Sequence, residues 1–214
     1  MGSKSGETDE KPVHPVKIPD FYLGKYEVTQ EQYEALMDGQ NPSEFKGPQN
    51  PVEHMSWNLC QEFCKRLSGK SGIAFRLPTE AEWEYACRAG SAATYCCGDK
   101  VEDLKAYAWF AGTAGDKTHP VGQLKPNAWG LYDMHGNVWE WCQDWYGKDY
   151  YQTSPPLDPQ GPETGTGRNL RGGSWMMGPE ACRASDRGSV SPDTTAHHGR
   201  GADGFRVAFR EKRP

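Results

Sequence analysis

Acidic side chains and backbone carbonyl groups come together in the stretch from Asn127 to Trp141. Asp133 and Glu140 flank a turn at Gly136-Asn137, and the loop between the two carboxylates offers carbonyl oxygens. Calcium prefers carboxylate and carbonyl oxygens as ligands. The stretch therefore predicts a structural calcium site, and the alternative is two solvated acids beside a tryptophan-rich corner of the core.

Seven cysteines and six histidines are the other side chains that could bind metals. Cys60 and Cys64 have helical spacing, which favours a place in the core, and Cys96-Cys97 are adjacent. No C-x₂-C pair is present, so the sequence does not predict a zinc site. His197-His198 are adjacent rather than four residues apart, and no arrangement of an acid with histidines supports an iron site, so an iron site is not predicted either. The odd number of cysteines leaves at least one free thiol.

The composition limits both the fold and the function. The chain has 214 residues and no internal repeat, which predicts one domain. Only 36% of the residues are hydrophobic, whereas 8 Trp, 25 Gly and 16 Pro indicate irregular backbone held by aromatic side chains. A net charge of −5 argues against binding to nucleic acid. No apolar run approaches the ~18 residues that a transmembrane helix needs.

Local patterns predict a few short elements. Residues 1–14 have the composition of a disordered leader or tag, and residues 15–214 form the domain. Capping-box patterns at Thr29–Gln32 and Thr79–Glu82 predict helix starts, and a further helix begins near Ser56. The third helix is predicted to bury Ala81 and Tyr85, with Trp83 as a further candidate.

Three other stretches are predicted to be strands or extended segments. The prolines of Pro15–Leu23 place that segment at a sheet edge. Asn169–Trp175 and Gly204–Arg210 read as strands. In Gly204–Arg210, alternating apolar residues predict that Arg206 faces away from the core.

Five motifs, in this order, resemble those of the formylglycine-generating enzyme, or sulfatase-modifying factor, superfamily: Tyr26–Gln30, Arg76–Ala86, Gly130–Trp141, Leu170–Trp175 and Gly204–Val207. The resemblance covers nearly the whole chain. It implies an α+β, C-type lectin fold with two or three short helices, small antiparallel sheets and much loop. It also implies a structural calcium held by Asp133 and Glu140 with the carbonyl oxygens of Gly136 and Val138.

The resemblance also bears on catalysis. Catalytic members have a cysteine two residues after the aromatic residue of the Gly-Gly-Ser-aromatic motif and a second cysteine five residues later, and this pair binds copper. Here the first position is Met177, and only Cys182 matches the second. A thioether cannot form a thiolate, so we expect no catalysis. Cys182 is then a core residue or half of a disulfide.

The region from Ala181 to Arg210 contains no Lys, Glu, Gln, Met, Trp, Ile, Leu, Tyr or Asn. The residues between its fixed-looking landmarks are all reachable from an asparagine codon by changing its first two bases. This pattern resembles that of variable proteins diversified by retroelements, and we expect treponemal variable proteins among the relatives. Met176 and Met177 do not fit the codon pattern, and ordinary drift in a Gly/Ser-rich loop is the alternative.

We therefore predict a variable, exposed region over about residues 176–203. Its predicted ligand-facing residues are Met176, Met177, Gly178, Ser185, Asp186, Gly188, Ser189, Val190, Ser191, Thr194, Thr195, His197, His198, Arg200 and Asp203. Loops carried by a rigid framework commonly perform recognition. Five arginines are expected to pair with acids inside that framework rather than touch a ligand: Arg168, Arg171, Arg183, Arg187 and Arg206.

The predicted function is non-catalytic binding of a protein or another exposed macromolecule by a monomeric protein. No cofactor is required beyond the calcium, and we expect a cell-surface or extracellular location, with any signal or lipid anchor removed. One alternative is a copper oxidase of the formylglycine-generating type. A second is a calcium-dependent glycan-binding lectin, although the chain lacks the Glu-Pro-Asn and Gln-Pro-Asp tripeptides of such lectins.

Overall fold

Four α-helices form where the local sequence favours them. The computed structural model describes residues 1–196 and 201–211, and it contains α1 (Gln30–Leu36), α2 (Trp57–Ser71), α3 (Glu80–Arg88) and α4 (Val101–Leu104). The capping boxes predicted for the first and third helices are present. Thr29 and Thr79 each accept a hydrogen bond from the third helical residue, whose side chain accepts one from the backbone of the threonine. Ser56 caps α2.

Six short strands build two small sheets. They are β1 (Tyr22–Leu23), β2 (Trp139–Trp145), β3 (Arg168–Arg171), β4 (Gly188–Val190), β5 (Asp203–Gly204) and β6 (Ala208–Phe209). Strands β1 and β6 pair antiparallel. The larger sheet has the order β4-β3-β2-β5, and its pairs are antiparallel except for the parallel pair β2–β5. Single-turn 3₁₀ helices and loops fill the rest, which is the predicted α+β, loop-rich architecture.

Buried tryptophans form the centre of the core. Trp83, Trp141 and Trp175 are at most 1% exposed, and Trp139 is 3% exposed. The indole N–H of Trp141 donates to the carbonyl oxygen of Met55 at 2.7 Å, so this buried polar group is satisfied. The free thiols of Cys60 and Cys64 lie in the same core, as predicted.

The structure corrects two predicted side-chain directions. Tyr85 is 52% exposed while Trp83 is fully buried, because residues two apart on a helix point to opposite faces. Residues Gly204–Arg210 form two short strands rather than one. Arg206 is fully buried between them, where it donates to Glu140 at 2.6 and 2.7 Å.

Two of the strand predictions were also too long. Of Pro15–Leu23, only Tyr22–Leu23 is a strand, and Lys17 makes a single bridge with Leu157. Of Asn169–Trp175, the strand ends at Arg171, because Gly172 and Gly173 both take positive φ angles (98° and 72°).

The first fourteen residues are not a disordered leader. Glu10 is fully buried and accepts hydrogen bonds from Arg183 at 2.7 and 2.8 Å. The backbone N–H of Gly2 donates to Glu84 at 2.8 Å, and Arg187 donates to the carbonyl oxygen of Asp9 at 2.7 Å. This segment therefore packs as part of the domain.

Buried arginines join the segments of the domain, and the predicted pairing with acids is confirmed for four of the five. Arg171 donates to Glu84 at 2.5 Å, and Arg187 donates to Glu80 at 2.6 and 2.9 Å. The prediction is wrong for Arg168, which has no carboxylate within 4 Å among the residues that the structure describes. In the described part of the chain, no helix has the length and apolar character needed to cross a membrane.

The buried carboxyl of Asp144 makes stability depend on pH. Burial and the nearby charge of Glu80 raise the pKa of Asp144 to about 8, while one carboxyl oxygen accepts the Glu80 N–H at 2.7 Å. A raised folded-state pKa contributes stability that is fully present below the unfolded pKa of about 3.9 and is lost as pH rises through 8. We expect D144N to gain up to about 4 kcal/mol relative to wild type between pH 5 and pH 8, since each pH unit contributes about 1.4 kcal/mol.

Urea denaturation at both pH values measures this difference. The matched control is D103N, at an exposed aspartate of α4, whose difference from wild type should not change with pH. If D144N and wild type keep a constant difference, the Asp144 carboxyl is ionised in the folded protein and the prediction is wrong.

Candidate functional site: the surface around Met177

Met177 lies at the position where catalytic members would carry the first copper-binding cysteine. It follows Trp175 in the turn after β3. Its N–H donates to the carbonyl oxygen of Ser174 at 3.0 Å, and its own carbonyl oxygen accepts the Ala111 N–H at 2.9 Å. The side chain is half-buried and packs against the tryptophan core. This turn is therefore fixed on both sides, and it presents a thioether where a thiol would be required.

Cys182, the second matched position, is a core residue with a free thiol. It is fully buried, and its Sγ lies 3.8 Å from the carbonyl oxygen of Gly178. Burial raises the pKa of this thiol, so the thiolate that binds a soft metal is disfavoured. A Cβ atom at Gly173 would lie 2.8 Å from the Cys182 sulfur, which explains the glycine there. No partner thiol is bonded to it, so the disulfide alternative is wrong.

The predicted ligand-facing residues divide into surface and buried positions. Ser191 and Thr195 are exposed; Met176, Met177, Gly178, Asp186, Gly188, Ser189, Val190 and Thr194 are half-buried. Ser185 and Asp203 were wrongly predicted, because they are 4% and 0% exposed. Ser185 lies beneath the contact between Glu10 and Arg183, and Asp203 is inside the sheet on β5. His197, His198 and Arg200 lie outside the described residues.

Two aromatic residues that the sequence did not assign to this surface pack against the same core cluster as the methionines. Phe45 packs edge-on against Trp175, with ring centroids 5.3 Å apart, and Trp109 stacks on His119 at 3.8 Å. Both are half-buried and contact the same core cluster as Met176, Met177 and Val190. We call the surface formed by Met176–Gly178, Gly188–Ser191, Thr194–Thr195, Phe45 and Trp109 the candidate face.

Two positions after β4 contact the segment just before and at the start of α2. The Asn58 side chain donates to Asp193 at 2.5 Å, and the Asn58 N–H donates to the carbonyl oxygen of Pro192 at 3.4 Å. Gly201 packs so tightly on the His54 ring that a Cβ atom at this position would overlap the ring.

Comparison with known proteins identifies the family. The model of the sulfatase-modifying factor enzyme 1-like domain matches residues 1–211. The chain belongs to this family. The match begins at residue 1, which agrees with the packing of the first fourteen residues onto the domain.

Several relatives of this sulfatase-modifying-factor domain are known. The formylglycine-generating enzyme of Streptomyces coelicolor is 42% identical over 176 residues, which are 75% of this chain and 53% of the enzyme. The chain thus spans about half the length of that enzyme.

Solved structures match more completely. Variable protein 1 of Treponema denticola has a TM-score of 0.89 and 34% identity, over 98% of this chain and 91% of that one. PvdO from Pseudomonas aeruginosa has a TM-score of 0.87 and 29% identity, over 99% of this chain and 90% of that one. The predicted resemblance to a treponemal variable protein is confirmed.

The calcium prediction for the domain fits Asp133 better than Glu140. Both Glu140 oxygens accept hydrogen bonds from Arg206, and one also accepts the Trp83 indole N–H at 2.8 Å, so this carboxylate is already neutralised. Asp133 is 3% exposed; one oxygen accepts the Gly122 N–H at 2.8 Å, and the other is buried without a hydrogen-bond partner.

A second buried carboxylate, which the sequence did not assign to this site, lies near Asp133. Glu27 is 1% exposed, accepts the side-chain N–H of Asn137 at 2.7 Å, and has a pKa raised by burial and by the Asp133 charge. Within residues 1–196 and 201–211, no three His, Cys, Asp or Glu side chains are arranged to hold a metal. A calcium ion would therefore depend on backbone carbonyls together with Asp133, and its presence stays a prediction.

Calcium should raise the melting temperature if Asp133 is a ligand. At about a hundredfold excess over Kd we expect a rise of about 5–10 °C for a domain of this size. Thermal unfolding with and without calcium measures it, and magnesium serves as the smaller-ion control. D133N should remove the rise and D103N should keep it. An unchanged melting temperature in the wild type would exclude the site.

Proposed function

We propose that this domain is a non-catalytic binding module that recognises a protein or another exposed macromolecule through the candidate face. The observation that carries the proposal is the side chain of Met177. A thioether has no proton to lose, so it cannot replace a cysteine thiolate as copper ligand and redox partner. The remaining thiol, that of Cys182, is fully buried and has a raised pKa.

The chemistry of the candidate face suits recognition. Met176 and Met177 are flexible and polarizable side chains, which adapt to partners of different shape. Phe45 and Trp109 add half-exposed aromatic surface beside them. Around these anchors, the small residues of Gly188–Ser191 and Thr194–Thr195 leave the surface shallow, which fits a macromolecule better than a small molecule.

The fixed framework also supports a face that tolerates sequence change. The segment that follows β4 is attached at Asp193 by the Asn58 side chain. One of the similar solved structures is named as a variable protein, Treponema denticola variable protein 1. We extend that property to this chain as part of the proposal, with the variable positions drawn from the exposed and half-buried residues of the candidate face.

The substitution M177C tests the non-catalytic part of the proposal. We expect wild type to bind no Cu(I) through a thiolate pair and to leave a cysteine peptide unchanged in the presence of copper, oxygen and a reductant. M177C restores a thiol at the first matched position, so it should bind one equivalent of Cu(I) in competition with a chromogenic chelator. M177C/C182S should lose that binding.

M176C is the positional control, because it adds a thiol one residue earlier in the same turn. It should not reproduce the Cu(I) binding of M177C. Conversion of the cysteine peptide to an aldehyde by wild type would refute the proposal. If a folded M177C bound no Cu(I), the absence of a thiol at position 177 would not explain why wild type binds no copper, and this part of the proposal would be wrong.

The DNA beside the coding sequence tests the proposed variability. We expect a near-copy of the segment encoding the candidate face, with adenines at the positions where the gene differs, and a neighbouring reverse-transcriptase gene. Sequencing of the locus from several isolates should show substitutions at Gly188–Ser191 and Thr194–Thr195. Isolates that differ elsewhere but are identical here, with no such near-copy, would contradict diversification.

A further inference from the structure

Two large aromatic side chains remain in contact with solvent beside α3. Tyr85 is 52% exposed and Trp129 is 49% exposed. Their rings meet edge to face, with centroids 4.8 Å apart and planes inclined by 62°. A cluster of exposed aromatic groups marks a surface that interacts with another molecule, because such groups gain most from leaving water. Neither residue belongs to the candidate face.

The turn that carries Trp129 is tied to α3 by one buried side chain. The Asn127 side-chain oxygen accepts the N–H of Trp129 at 3.0 Å and that of Leu131 at 3.1 Å. Its amide nitrogen donates to the carbonyl oxygen of Ala86 at 2.7 Å, one residue after Tyr85. Because Asn127 fixes both segments, the two rings hold their relative position without a ligand.

Phe21 adds a third ring to this pair. Its centroid lies 6.5 Å from that of Tyr85, and the two planes are inclined by 53°. The rings of Phe21, Tyr85 and Trp129 line one cavity of about 370 Å³, whose other wall comes mostly from the segment 18–23. Ligand pockets commonly have volumes of ~300–1,000 Å³ and aromatic walls. We call this space the aromatic cavity.

The aromatic cavity has the electrostatic character that attracts a cation. The faces of aromatic rings carry partial negative charge. The lining residues include one acid, Asp20, and no lysine or arginine. At Tyr26, which is also exposed, Lys25 Nζ lies 5.4 Å from the ring centre. No lysine or arginine within residues 1–196 and 201–211 covers the rings of Tyr85 and Trp129 in this way.

The dimensions of the cavity suit one cation in contact with several rings. A cation is attracted when it lies within ~6 Å of a ring centre. Neighbouring centres are 4.8 and 6.5 Å apart and the rings are inclined, so one cation can lie within that distance of all three. A quaternary ammonium group fits better than a primary one, which is strongly hydrated and needs acceptors that aromatic walls do not offer.

We propose that the aromatic cavity formed by Phe21, Tyr85 and Trp129 binds the quaternary ammonium group of choline or of a choline-containing headgroup. The rings contact the methyl groups, and Asp20 adds negative charge at the cavity. The cavity shares no residue with the candidate face. The site therefore goes beyond the proposed recognition of a macromolecule and does not depend on it.

NMR of the indole N–H groups tests the site on the intact protein. The Trp129 signal is assigned by its loss in W129F, and choline chloride is titrated against sodium chloride at equal ionic strength and pH 7. We expect a saturable shift of the Trp129 signal with choline only. Dimethylbutanol, the neutral isostere of choline with carbon in place of nitrogen, is the matched control ligand. It should bind about tenfold more weakly, because it has the shape without the charge.

Variants separate the contribution of a ring from that of apolar contact. Y85L keeps an apolar side chain and removes the ring, so it should weaken choline binding about two- to fivefold, the range for one cation–π contact at an exposed site. Y85F keeps the ring and should bind choline as wild type does. Y107L removes a ring outside the cavity, which has Lys125 Nζ at 5.9 Å, and should also leave binding unchanged.

Vesicles distinguish a lipid headgroup from a free ligand. Co-sedimentation is compared between phosphatidylcholine and phosphatidylglycerol vesicles. Binding to phosphatidylcholine that is weakened in Y85L and kept in Y85F would assign the site to the headgroup. Saturable binding of free choline without co-sedimentation would assign it to the free compound.

Three outcomes would overturn the proposal. Equal affinity for choline and dimethylbutanol would mean an apolar pocket without preference for a cation. A linear shift equal to that with sodium chloride would mean only ionic-strength effects. Tighter binding of a trimethyl-lysine peptide than of choline would assign the cavity to a modified protein. None of these outcomes depends on the copper assay of M177C, so failure here is distinguishable from failure of the proposed function.

Discussion

Bidentate contacts between buried arginines and carboxylates hold this domain together. Arg206 donates to both oxygens of Glu140 and, in addition, to the carbonyl oxygens of Gly24 and Tyr132. Arg171 joins Glu84 to the carbonyl oxygen of Ala184 through a single nitrogen, Nη2. Each guanidinium thus donates hydrogen bonds both to a carboxylate and to backbone carbonyl oxygens of distant loops. In a protein rich in helices or sheets, such carbonyl oxygens would accept hydrogen bonds within the secondary structure. Removing one partner would leave a buried charge without compensation.

This arrangement explains how a fold with so little regular structure can present a changeable surface. The arginines and tryptophans fix the loops from inside, through Glu10, Glu80, Glu84 and Glu140. The residues of the candidate face lie outside these contacts, so substitutions there change the surface without removing an ion pair. Ser185 and Asp203 were expected in that surface, but they lie within the framework, where change would disturb the packing of Glu10 on Arg183 and the pairing of β5 with β2.

Features that depend on neighbours in sequence could be predicted, and features that depend on distant partners could not. The capping boxes at Thr29 and Thr79 are local, and both helices begin where expected. The pairing of Arg206 with an acid was expected, but its partner was not, because alternation within Gly204–Arg210 cannot reveal that Glu140 accepts its hydrogen bonds from 66 residues away. Glu10 looked like part of a charged leader, because its partner Arg183 is 173 residues away. Phe45 and Trp109 were missed for the same reason.

Arg168 is an exception among the described arginines, because the other eight each pair with a carboxylate. In a protein with scattered, solvent-exposed arginines, one without a carboxylate would require no explanation, because surface ion pairs contribute little. Here the described arginines are paired even where exposure makes the gain small, as at Arg66. Arg168 instead lies over the indole rings of Trp57 and Trp145, at 3.9 and 3.5 Å from the ring centres, and donates to the carbonyl oxygen of Gln143. At this position aromatic contacts and a backbone acceptor take the place that a carboxylate has beside the other described arginines.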